Sequence, residues 1–122
     1  MSRPTRAKLE KEFAGAALGW AQRELELTES EIGTALGVDR KTIYRWRSGE
    51  STPAPEQRKR VEKLTQLKWF LDNSFRSSRI GKEWLHQPVP GLKGRTPISV
   101  LAEGDLDSVI GLLATHASGA HI

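Results

Sequence analysis

At 122 residues, with 37% hydrophobic and 28% charged side chains, the chain has the size of one ordinary domain or two lean ones, with enough apolar material for a core. It has no cysteine, which excludes a disulfide framework and thiolate zinc ligation and fits a reducing cytoplasmic setting, while no apolar run nears the roughly 18 residues that span a bilayer. The formal charge of +4 is concentrated: residues 40–63 hold eight cations (Arg40, Lys41, Arg45, Arg47, Arg58, Lys59, Arg60 and Lys63) against Glu50, Glu56 and Glu62, a net +5 that leaves the remainder near neutral.

The N-terminal stretch MSRPTRAKLEKEF lacks the apolar centre of a signal peptide, so a cytoplasmic protein with no membrane partner is expected. From Thr5 to Leu27, apolar residues recur at Leu9, Phe13, Ala16/Ala17, Trp20 and Leu27, which predicts one amphipathic helix. Thr28, with Glu31 three residues on, forms a capping-box pattern for a second helix whose buried stripe is Ile32, Ala35 and Leu36. Gly37 closes it, because a left-handed C-terminal cap costs glycine little. Asp39 then caps a third helix that turns Ile43 and Trp46 inward and ends at Gly49.

Pro53 and Pro55 disfavour helix before them and place the next helix start near Pro55. That long helix carries Val61, Leu64, Lys68, Leu71 and Phe75 on one stripe, widened by Leu67, Trp69 and Phe70. Such a stripe exceeds what one thin core covers, so part of it is expected in a homodimer or higher oligomer. RIGKEWLHQP predicts a short helix ending before Pro88, and PVPGLKGRTP a loop. Trp84 and Leu85 suit an anchor on the long helix, and Arg95 and Thr96 sit where they can satisfy backbone groups at a helix start. Pro97 opens PISVLAEG, and Asp105 caps a last helix with Leu106, Val109, Ile110 and Leu113 inward. Strand alternation never persists, so the fold class is all-α.

The second and third helices, locked by Gly33, Gly37, Val38, Ile43 and Trp46, make a helix-turn-helix in which Gly33 permits close approach. With Ile43 and Trp46 inside, Arg40, Lys41, Thr42, Tyr44 and Arg45 face outward, next to Ser48, as candidates for base edges or nearby phosphates in operator DNA. Arg47, Arg58, Lys59 and Arg60 suit phosphate contacts.

The run LTESEIGTALGVDRKTIYRWRSGE resembles the helix-turn-helix of Xre-type (Cro/C1-like) bacterial regulators. The string EWLHQPVPGLKGRTPISVLAEGDLDSVIGLL is similar to the C-terminal domain of Xre/MbcA/ParS antitoxins that pair with RES-domain toxins. It carries the matching residues Trp84, Leu85, Pro88, Leu92, Gly94, Arg95, Thr96, Pro97, Leu101, Gly104, Val109, Leu112 and Leu113. The two resemblances imply an N-terminal DNA-binding domain over 1–54, a linking and dimerisation helix over 55–77, and a toxin-binding domain over 78–122. They imply an antitoxin that represses its own operon and occludes an NAD-consuming toxin, with no chemistry, cofactor or metal of its own. Gly119, Ala120, His121 and Ile122 would form the occluding tail, with His121 in place of the family's aromatic residue. The competing reading is a stand-alone Xre-family regulator whose C-terminal helices only dimerise. An enzyme is disfavoured because His86, His116 and His121 lack the spacing of a helical metal pair.

Overall fold

The computed structural model describes residues 3–117. Seven α-helices occupy them, with no strand among the described residues: α1 (Arg6–Glu24), α2 (Glu29–Leu36), α3 (Arg40–Ser48), α4 (Pro55–Ser74), α5 (Ser78–Leu85), α6 (Pro97–Ala102) and α7 (Leu106–Ala117). A single 3-10 turn, Pro90–Leu92, lies between α5 and α6. No described helix is long and apolar enough to cross a membrane.

The helix starts follow from cap chemistry. An oxygen of Thr5, Thr28, Asp39, Ser77, Thr96 or Asp105 accepts the backbone N–H three residues on in each case, which satisfies one of the orphan amides of a first turn. Thr28 forms the full capping box, since Glu31 Oε1 accepts its backbone N–H at 2.9 Å. Ala54 has no side-chain oxygen to offer. There Pro55 occupies the first helical position and Gln57 reaches back to accept the Ala54 N–H at 3.1 Å.

α4 is the spine. It packs against α1 on one side and α7 on the other, and one contiguous cluster of buried side chains runs from Ala14 to Leu113. Val61, Leu64 and Leu67 are its buried contribution, with Phe70, Leu71 and Phe75 packed at the margin. Two members of the expected α4 stripe lie elsewhere: Trp69 is 58% exposed, edge-on to Phe70 at 5.1 Å, and Lys68 pairs with Asp72 on the surface.

α1 departs from its expected course in two ways. The helix stops at Glu24, three residues short of Leu27, because Glu26 adopts the left-handed conformation (φ 56°) and swings the chain so that Leu25 and Leu27 both enter the core. Its buried face is Ala14, Ala17, Leu18 and Ala21, whereas Leu9 is half exposed and Phe13 and Trp20 are only partly covered. Small residues on the inner side let α3 and α4 approach closely, so the bulky residues are displaced to the flank.

Candidate functional site

The α2–α3 pair is built around Gly33. A Cβ there would lie 2.6 Å from the Val38 carbonyl oxygen, so only glycine leaves room for the turn to fold back over α2. Gly37 is left-handed (φ 73°), and the Gly37 and Val38 amides both donate to the Gly33 carbonyl. Arg60 reaches across from α4 and donates from Nη1 to the Leu36 carbonyl at 3.0 Å, capping the end of α2. Ile43 and Trp46 are buried and hold α3 against the body.

At the head of α3, Asp39 Oδ1 accepts the Thr42 backbone N–H at 2.8 Å and the Thr42 hydroxyl at 2.6 Å. Those two bonds, the side-chain one first, hold the Asp39 carboxyl below its usual range, with a smaller contribution from Arg45 and Lys41. Asp105 is lowered in the same way by Ser108. Because both folded values are depressed, the caps contribute fully above the ordinary carboxylate range and weaken as pH falls through the folded values.

The outer face of α3 brings Arg40, Lys41, Tyr44 and Arg45 together along a groove of about 340 Å³, rimmed by Glu29 and Glu50. Tyr44 is 52% exposed. Thr42 is only half exposed, and its hydroxyl is committed to Asp39. Arg47 turns back toward α2, where Nη2 lies 3.3 Å from Glu29 Oε2 and the guanidinium sits 5.8 Å from the Tyr44 ring. The acidic rim is the feature that sequence reading passed over; the signal was Glu29 at the first position of α2, where a carboxylate favours the positive helix end.

The three α4 cations are separate from that groove. Arg58 donates to Glu10 at 2.7 Å and to Glu62, and its guanidinium lies 4.5 Å from the Phe13 ring, so it fastens α4 to α1. The Glu10 bond, followed by the charges of Glu10 and Glu62, raises its already high pKa. Arg60 is the α2 cap described above. Lys59 is exposed and lines a second groove with Arg6, Pro53 and Pro55.

In the C-terminal part, the residues singled out from sequence are mostly packing elements. Trp84, Leu85, Leu92, Pro97, Leu101, Val109 and Leu113 are buried. Phe75 bridges Trp84 and His116, with ring centroids at 5.4 and 5.9 Å, and His116 Nε2 lies 3.2 Å from the Ser74 carbonyl, tying α7 to the end of α4. The loop before α6 closes on itself: the Val89 N–H donates to Arg95 O and the Gly94 N–H to Val89 O. Arg95 pairs with Glu103 at 2.8 Å, and a Cβ on Gly91 would meet Leu112 at 2.6 Å. Gly104, at φ 98°, sets the α6–α7 turn directly against Thr34 and Ala35 of α2. The tail residues Gly119, Ala120, His121 and Ile122 lie outside the described residues.

An α2–α3 pair carrying an exposed basic face is joined through one core to a compact helical C-terminal part, and the whole is a small all-helical protein. Residues 71–119 match the family described as the antitoxin Xre/MbcA/ParS C-terminal toxin-binding domain. The match opens at Leu71, inside α4, rather than at residue 78. The chain is similar to a Mycobacterium tuberculosis protein described as a probable mycobacterial cidal antitoxin, with 24% identity over 102 residues, covering 84% of this chain and 86% of the relative. A chain of the crystal structure of the M. tuberculosis MbcT–MbcA toxin–antitoxin complex shares the fold, with a TM-score of 0.56 and 21% identity over 88% of this chain and 96% of that one.

Proposed function

We propose that this chain is the antitoxin of a type II toxin–antitoxin pair. Its C-terminal domain binds and occludes a RES-domain, NAD-degrading toxin, and its α2–α3 helix-turn-helix binds operator DNA as a homodimer to repress the operon. The observation that carries the first half is the match of residues 71–119 to a toxin-binding antitoxin domain. The second half rests on Arg40, Lys41, Tyr44 and Arg45 projecting from a helix whose opposite face is buried.

In this reading the protein inhibits by covering a surface and performs no chemistry. The test is co-expression of the cognate toxin with the full chain and with a chain ending at Ser118. The full chain is expected to preserve cellular NAD. Loss of Gly119–Ile122 is expected to weaken that protection while the truncated protein still co-purifies with toxin, since the described core is untouched. Undiminished protection by the truncated protein at matched expression would move the occluding role to the helices.

On DNA, an arginine on the outer face of a recognition helix forks onto guanine O6 and N7, and an exposed lysine meets phosphate. Arg45→Ala is expected to cost about 1–3 kcal/mol at the operator and to relax sequence preference. Lys59→Ala is expected to weaken all sequences alike and to flatten the salt dependence. Gel-shift titrations on operator and scrambled duplexes separate the two. Unchanged operator affinity in both variants would show that this face is not the DNA contact. Arg58→Ala is a poor probe of phosphate contact, because its guanidinium already joins Glu10, Glu62 and Phe13.

A further inference from the structure

The apolar surface left over after folding lies mainly on α1. Leu9 is 51% exposed, Ala16 is exposed, and Phe13 and Trp20 are partly buried. Their spacing of four, three and four residues is the heptad spacing of a seam that packs against another helix. The body of the protein covers this seam only in part: Phe13 and Trp20 pack at the margin of the core, while Leu9 and Ala16 are left open. The inner face of α1 is filled by Ala14, Leu18 and Ala21. α3 approaches from another side, where a Cβ on Gly15 would lie 3.5 Å from the Arg47 carbonyl. α4 and α5 cover one edge of the seam, with Arg58 over Phe13 and with Leu71 and Leu85 lining a small cavity beside Trp20.

We propose that the seam is the contact with a second copy of this chain, formed by antiparallel two-fold pairing of α1 with α1. The proposal deepens the homodimer of the functional reading by giving it an interface. The four positions are symmetric about the midpoint between Ala14 and Gly15. An antiparallel pair therefore sets Leu9 against the partner's Trp20, and Phe13 against the partner's Ala16, large against small.

The charges agree with the same arrangement. Arg6 and Glu24 stand on one flank at opposite ends of α1, Glu24 with Lys82 of α5 at 3.9 Å, so the two-fold brings Arg6 opposite the partner's Glu24, where it would share that carboxylate, twice over. On the other flank the Arg23 guanidinium folds back beside Gly19, whose Cβ would lie 2.8 Å from Nη1, and carries its charge to the level that faces the partner's Glu12. Parallel pairing would instead leave Arg6 and the partner's Glu24 at opposite ends of the helix pair, so that neither contact forms.

The test is the mass of the full chain by sedimentation equilibrium, with neither DNA nor toxin present. The wild type is expected at twice the chain mass of 13.6 kDa. Leu9→Glu is expected to be monomeric with an unchanged circular-dichroism melt, because Leu9 contributes nothing to the buried core. Arg6→Glu and Glu24→Arg are each expected to raise the dimer dissociation constant about tenfold, and the double variant to restore it, which a folding defect would not do. A monomeric wild type overturns the proposal, as does a dimer indifferent to Leu9→Glu and to the charge exchange. A monomer that still binds toxin or operator would sink this interface while leaving those activities standing.

Discussion

Leu64→Ala is expected to destabilise the protein by about 2–5 kcal/mol, out of the roughly 5–15 kcal/mol available to an ordinary domain. Leu64 is 1% exposed and sits on α4, the helix that packs against both α1 and α7. Deleting its side chain removes buried apolar contacts and leaves a cavity that the surrounding helices cannot collapse to fill. Because the buried cluster is continuous across α4, the α2–α3 end and the α5–α7 end are expected to melt together. Trp46 lies in the first half and Trp84 in the second, both buried, so single-tryptophan versions report each half by fluorescence. Coincident midpoints that move down together in Leu64→Ala are the expected outcome. Two separated transitions, with only one displaced, would mean that the halves are independent domains joined by a helix. Trp69→Ala, one turn further along and largely exposed, serves as the control and should leave the midpoint nearly unchanged.

That continuity explains which parts of the molecule sequence reasoning reached. Local chemistry determines where helices begin, and it was readable: Thr28 with Glu31, Asp39, Thr96 before Pro97, and Asp105 each cap the helix expected of them. The left-handed turn at Gly37 was equally local. What was not readable depends on neighbours far away in the chain. α1 has two apolar faces, one of small residues and one of large, and periodicity cannot say which α3 and α4 will cover. The early end of α1 has the same origin, since Glu26 takes a left-handed backbone so that Leu25 and Leu27 can both reach the core.

The basic cluster separates for a similar reason. In the sequence Arg45 reads as a base-edge candidate and Arg58 and Arg60 as phosphate contacts, all three facing outward. In the fold, Arg58 meets Glu10, 48 residues away, and Arg60 meets the Leu36 carbonyl, whereas Arg45 lines an open groove. Charge counts therefore located the basic region without separating side chains that fasten helices from those left facing outward. In the C-terminal part, Thr96 and Pro97 were legible because each acts close to its own place in the chain, supplying the cap and first position of α6. The left-handed turn at Gly94 and the pairing of Arg95 with Glu103 were not read from the sequence.

Gly33→Ala is expected to reach the α2–α3 geometry more directly than any change on the exposed face. The added Cβ would lie 2.6 Å from the Val38 carbonyl oxygen and about 3.4–3.5 Å from the Asp39 carbonyl group. These are backbone atoms, so nothing can swing aside on a rotamer, and α2 and the turn must separate instead. Overpacking of this kind costs about 1–3 kcal/mol. The displacement falls on Asp39, whose bonds to Thr42 start α3, so α3 shifts along with the turn. Operator affinity should therefore fall further than stability alone predicts, while protection against the toxin is retained at temperatures where the chain stays folded. Gly111→Ala on α7 supplies the opposite sign: a Cβ there meets nothing within 4 Å, and alanine in a helix interior gains about 0.5–1 kcal/mol over glycine. Thermal melts and gel shifts on the two variants, run side by side, provide the measurement. If Gly33→Ala melts with the wild type and binds operator equally well, close approach at Gly33 is not what positions α3.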